Sequence, residues 1–380
     1  MAKKVVLVGT AHPFRGGLAS YNERLIKEFK DLGDDASIET FTLQYPNFLF
    51  PGKTQYSDSP KPEGIEINET VSSVNPFNWI KIGRKIKKQK PDYLIFKFWL
   101  PFMGPCFGTI ARIAKKNKHT KVISIIDNII PHEKRIGDKV LSNYFVKPID
   151  GFVAMSQSVL DDLNTFDSNK PKLYNPHPLF DNFGELISRE AALKELNLSP
   201  ENRYILFFGF VRDYKGLDLL LDAYADSRFI EMNVKLIVAG EYYNNEEQYT
   251  EQIKRLKLEN EVILRNDFIP NEEVKNYFRV ADIIAQPYKN ATQSGVTQIG
   301  YHFEKPILVT NVGGLAELIP HNKVGYVVEP NSQAIADALV SFFKDNKKEE
   351  FEQNVKLEKE KFSWKKMVDT INTLADDIQK

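Results

Sequence analysis

From Phe207 to Leu217 the chain reads FFGFVRDYKGL, with Arg212 and Lys215 three residues apart between one apolar run and the next. A strand-to-helix turn needs a small residue and a capping side chain. Two fixed cations beside a helix N-terminus oppose its macrodipole unless an anion binds there. The pair therefore reads either as a solvated surface pair or as an anion clamp, and its spacing favours a diphosphate. Gly209 closes the first run and Gly216 opens the second.

Three further stretches carry residue types suited to binding. In GTAHPFRGGLASYNERLIKEF the paired Gly16 and Gly17 let backbone approach a ligand before an amphipathic helix expected over 18–29. In NATQSGVTQIGYHFEKPILVTNVGGLAELI, Ser294 and Gly295 precede a helix expected over 296–303, whose first NH groups suit phosphate. A plain glycine turn and a plain loop-helix-strand connection are the bland alternatives. In DNIIPHEKR, His132 could be a general base or a sugar-hydroxyl ligand oriented by Asp127, or a solvated loop histidine. His177 and His302 read as structural. No HExxH motif or paired-carboxylate spacing suggests a metal, and Cys106, among apolar neighbours, reads as a small buried hydrophobe.

The elements that must position these residues alternate short apolar runs with segments of helical period. The strand candidates are 4–9, 37–43, 93–98, 121–126 and 151–155 in the first half, and 204–209, 234–240, 262–265, 282–287, 307–310 and 325–328 in the second. That pattern implies an α/β protein with two doubly wound parallel sheets. Ligands of such sheets bind at the carboxyl ends of the strands, where all the stretches above fall. Tyr45 to Asn78 is Pro, Ser and Gly rich and reads as a long loop. A division is expected near LYNPHPLFDNFGE, before the short helix of SREAALKELNLSPENR. The final segment from Phe351 is helical by period, with Val368, Ile371, Leu374 and Ile378 on one face.

The 380 residues exceed one ordinary core, so two domains are expected. The 51 basic and 51 acidic residues cancel, which removes the global electrostatic argument for nucleic acid. The balance is local: 75–147 holds 16 basic and four acidic residues. Within it IKIGRKIKKQK reads as a solvated face or a membrane contact. The apolar run of MAKKVVLVGT is too short for a signal peptide. No stretch approaches the ~20 apolar residues of a membrane span. One cysteine fits a reducing compartment.

On these stretches, with LIVAGE and FSWKKM, nearly the whole chain resembles the family 4 retaining glycosyltransferases, the glycogen synthase-like glycosyl transferases group 1. The resemblance implies the GT-B architecture, two Rossmann-like domains facing a cleft with a C-terminal helix crossing back to the first. It implies an acceptor-binding domain at 1–185, a nucleotide-sugar domain at 186–360 and the crossing helix at 361–380. The implied activity is metal-independent, retaining transfer of a sugar from a nucleotide-diphosphate donor to a glycan or lipid-linked acceptor. No cofactor is implied. The catalytic residues would be Arg212, Lys215, Asp127 and His132. The donor would be met by Gly16, Gly17, Gln293, Ser294, Gly295, Val296 and Thr297, and its nucleotide by Gly209, Gly240, Glu241 and Phe268. Asp127 stands where the family often has a histidine. The family's two glutamates eight residues apart fall near Ala291 and Ile299, which leaves Thr292, Gln293 or Gln298 as polar substitutes. A catalytically silent sugar-nucleotide-binding protein is the rival reading. A nicotinamide oxidoreductase lacks its GxGxxG fingerprint here. The expected location is the cytoplasm, with peripheral contact to the inner face of an anionic membrane.

Overall fold

The computed structural model describes residues 2–46, 54–57, 60–131, 135–181, 183–184, 187–243, 246–291 and 294–378. They form two compact units, one made of 1–178 with 363–380 and the other of 179–362.

The first unit is built on seven parallel strands: β1 (Lys4–Val8), β2 (Asp35–Leu43), β3 (Glu66–Ser72), β4 (Tyr93–Phe98), β5 (Lys121–Ile126), β6 (Gly151–Ala154) and β7 (Lys172–Tyr174). Their order is β3-β2-β1-β4-β5-β6-β7, so the winding reverses between β1 and β4. Alternate residues go to opposite faces. Val6, Val8, Leu94, Phe96 and Phe98 join one core with Ile82, Ile86, Phe107 and Phe145 from the covering helices. Cys106 is buried in that core, and burial pushes its thiol up, which agrees with a small hydrophobe.

The second unit has six parallel strands: β8 (Arg203–Phe208), β9 (Val234–Ala239), β10 (Val262–Arg265), β11 (Ile283–Gln286), β12 (Ile307–Thr310) and β13 (Gly325–Val328). Their order is β10-β9-β8-β11-β12-β13, with the reversal between β8 and β11. Its core packs the helices Leu217–Tyr224 and Ser332–Lys344 on the sheet.

Two expectations change. The stretch expected to be one long loop over 45–78 contains β3 and the start of the helix Pro76–Gln89. β3 is an edge strand that buries only Ile67 and Val71, and its register against β2 is irregular, so its alternation is faint. The C-terminal segment is not one helical run: Lys348–Glu358 belongs to the second unit and Trp364–Asp377 to the first. The break comes where Ser363 Oγ accepts from Lys366 NH at 3.3 Å and starts a new helix. That last helix buries Trp364, Met367, Val368, Ile371 and Leu374. Trp364 lies on Tyr21 with ring centroids 5.1 Å apart, and a Cβ on Gly151 would stand 3.0 Å from Leu374 Cδ1.

Candidate active site

In the second unit the reversal point between β8 and β11 gathers two loops. After β8, Gly209 takes φ +92° and the chain passes through Arg212 into a turn at Asp213–Lys215, closed by Gly216 at φ +68°. A Cβ at Gly216 would lie 2.0 Å from Pro287 O, so only glycine lets this loop approach the one after β11. Lys289 NH donates to Tyr214 O at 2.7 Å and ties the same two loops.

The loop after β11 leads into the helix Gly295–His302. Ser294 Oγ caps it by accepting from Val296 NH at 3.2 Å, and Tyr288 Oη lies 3.2 Å from that oxygen. Thr297 is fully buried and exchanges hydrogen bonds with the Gln286 carboxamide at 3.0 and 3.1 Å. It therefore holds the helix to the end of β11. Gln293, like Thr292, lies outside the described residues.

Lys215 is brought between these loops. A Cβ on Gly209 would meet Lys215 Nζ at 3.2 Å and Val296 Cγ2 at 3.7 Å, so the ammonium faces the first turn of the helix Gly295–His302. Among the described residues no carboxylate pairs with Lys215 or Arg212. The nearby acids are engaged elsewhere: Asp213 accepts from Tyr249 Oη, and Asp218 takes Lys289 at 2.6 Å. Desolvation and the charge of Arg212 pull the Lys215 ammonium down to about 7. The Arg212 guanidinium is stacked 3.7 Å above the Tyr243 ring, which fixes its plane.

The neighbouring strand ends supply the remaining second-unit positions. Gly240 NH donates to Arg265 O, and a Cβ at Gly240 would lie 2.3 Å from Gly209 O. Buried Glu241 offers its carbonyl to Val211 NH at 2.9 Å. Phe268 packs on Phe210, which meets Tyr243 edge-on at 5.6 Å. Tyr243 and Phe210 had no signal in the charge pattern, because an aromatic that shelves a guanidinium looks like any core aromatic in sequence. Ala291 and Ile299 are both buried.

The first unit has its own carboxyl-edge set. Gly16 takes φ +100° and begins the helix Gly17–Asp31 with no side-chain cap and open space where a Cβ would stand. Asp127, directly after β5, is bonded at 2.7 Å to Lys97 Nζ, whose side chain is 1% exposed. That ammonium lies 3.6 Å above the Tyr21 ring. His177 meets the same ring edge-on at 5.0 Å. Burial and the charge of Lys97 push His177 down to about 3, so it is neutral, and its Nδ1–H donates to Pro178 O. His132, expected to work with Asp127, lies outside the described residues. Lys97 was missed as the Asp127 partner, although a lone cation inside YLIFKF was the visible sign. Among the described residues there is no group of three His, Cys, Asp or Glu able to hold a metal ion.

Two parallel sheets, each with a reversal in strand order, are the GT-B fold, and solved structures share it. A glycosyltransferase from Rickettsia africae superposes with TM-score 0.75 at 19% identity, over 99% of this chain and 98% of that one. Anabaena Alr3699/HepE in complex with UDP-glucose superposes at 0.72 and 16% identity, over 97% and 100%. Residues 188–360 match the family model of glycosyl transferases group 1. Over 378 residues, 99% of this chain and 98% of the relative, the chain is 22% identical to an uncharacterized glycosyltransferase of Methanocaldococcus jannaschii.

Proposed function

We propose that the protein transfers a sugar from a nucleotide-diphosphate donor to a glycan or lipid-linked hydroxyl, with retention of configuration and without a metal ion. In the reaction the bond from the anomeric carbon to the diphosphate breaks and its electron pair leaves with the phosphate. The acceptor oxygen takes its place. Charge therefore develops on the departing diphosphate, where preorganised cations and NH groups act most strongly. The observation that carries the reading is Lys215, an ammonium facing Gly209 and Val296 with no carboxylate partner among the described residues. Arg212 and the NH groups at Gly295 and Val296 would complete the anion site. Val296 NH would exchange Ser294 Oγ for phosphate. The UDP-glucose complex of the Anabaena neighbour supports a nucleotide sugar as donor class.

Asp127, Gly16 and Gly17 would serve at the first unit's edge. Ala291 and Ile299, where the family's glutamates would stand, favour a second reading in which the donor is bound but not transferred. A panel of UDP-, GDP- and dTDP-sugars, run with and without chelator, separates the two readings. Transfer to a hydroxyl acceptor supports the first reading, and binding with only slow donor hydrolysis supports the second. Hydrogen bonds to charged groups contribute about 1.5 to 3 kcal/mol each. Arg212→Ala is accordingly expected to slow turnover roughly ten- to a hundredfold, and unaltered kinetics would remove Arg212 from the site.

A further inference from the structure

Three helices of the first unit, Pro76–Gln89, Gly104–Ala114 and Asp138–Val146, pack against the same core and so cover one face of the sheet. Their cations are Lys81, Arg84, Lys85, Lys87 and Lys88 on the first, Arg112 on the second and Lys139 on the third. Their only carboxylate is Asp138. The basic helix buries Ile82, Gly83 and Ile86 inward, so its apolar stripe is used by the core and most of its cations face out.

Large apolar side chains nevertheless stand in solvent on this layer. Phe77 is 83% exposed at the start of the first helix, one turn before Lys81. Ile136, in the turn that precedes the third helix, and Val140 and Tyr144 on it have exposures of 109, 69 and 38%. Arg112 lies 3.8 Å over the Tyr144 ring, and Lys139 and Lys147 are exposed beside them. Solvent-facing apolar residues among cations, with almost no acid, are the composition of a surface that enters a lipid interface.

The topology fixes where these anchors are. Each helix follows a strand in a parallel crossover, so its N-terminus stands at the edge formed by the strands' carboxyl ends. Phe77, Ile136 and Val140 are therefore at the edge that carries Gly16, Gly17 and Asp127, while Lys87, Lys88 and Lys147 lie toward the other end of the layer. We propose that this helix layer docks on an anionic phospholipid surface, with Phe77, Ile136 and Val140 as apolar anchors and Lys81, Arg84 and Lys139 meeting the head groups. A bilayer is favoured over a protein partner because the cations are spread over three helices and match a uniformly anionic plane. No helix among the described residues is long and apolar enough to cross a membrane, so the contact is peripheral. On the transferase reading proposed above, docking there would bring a lipid-borne hydroxyl to the carboxyl edge of the first unit's sheet.

The proposal is tested by sedimenting the full chain with phosphatidylcholine vesicles and with mixed phosphatidylcholine/phosphatidylglycerol vesicles, at low and high salt. The expected result is binding that needs phosphatidylglycerol and weakens with salt. Combining Phe77→Ser, Ile136→Ser and Val140→Ser should lower the partition coefficient roughly tenfold or more. Lys81→Glu with Arg84→Glu should remove most of the preference for phosphatidylglycerol. All five positions are on the surface, so each variant should keep the wild-type melting temperature. Binding indifferent to phosphatidylglycerol, or equal for wild type and the serine triple variant, would overturn the proposal. So would a dimer without vesicles that the triple variant dissolves, since a second copy would then be the occupant. Vesicle binding is read without turnover, so its failure is distinct from failure of the transferase reading.

Discussion

Lys215 gives the site a titration in the neutral range. Its ammonium sits at about 7 because burial and Arg212 both disfavour the charge. The charge is present below that value and is lost as pH rises through it. A bound diphosphate would restore the ammonium, so the dissociation constant of the nucleotide diphosphate should rise by up to about tenfold per pH unit above 7. Lys215→Met should flatten that rise while leaving the slope due to the ligand's own phosphate ionisation. Calorimetric titration of both proteins from pH 6 to 9, on the order of three pH units, checks this; identical slopes would show that Lys215 does not face the ligand. Arg212 and Lys215 were legible in sequence because two cations in a turn lack any local purpose. Lys97 was not, because its purpose is a carboxylate 30 residues away, just past the end of the next strand.

At the scale of elements, the reversal between β8 and β11 depends on close approaches that only glycine allows. Gly216→Ala adds a Cβ 2.0 Å from Pro287 O at φ +68°, whereas Gly33→Ala, at φ +94°, meets nothing within 4 Å. The first is expected to cost roughly 2 to 4 kcal/mol and the second about 1 to 2. Urea unfolding of both variants measures the difference, and equal losses would mean that the loops part easily. Eleven of the strands stood out in sequence because parallel strands buried on both faces are near-continuous apolar runs, as in Tyr93–Phe98, all six of which are buried. β3 and β7 did not. Both are edge strands, and Lys172–Tyr174 has no fully buried residue. Period alone also ran Lys348–Glu358 into Trp364–Asp377, since a break made by one capping serine leaves the helical spacing on either side intact.

At the scale of the whole molecule, the first unit is discontinuous, made of 1–178 and 363–380. Its last helix packs Trp364 on Tyr21 and Leu374 against Gly151. Deleting 363–380 should therefore abolish the cooperative unfolding of the first unit while the second, with its own core, keeps a separate thermal transition. Calorimetry of the truncated chain reads both, and two intact transitions would show that the helix is dispensable. The same arrangement sets a delay in synthesis. Residues 179–362 are translated between the two parts of the first unit. At roughly 5 to 20 residues per second, that interval is on the order of ten to forty seconds. Throughout it the apolar side chains that Trp364, Val368, Ile371 and Leu374 will pack against lack that cover, so exposure to aggregation is expected on the ribosome, before the protein has any substrate to meet.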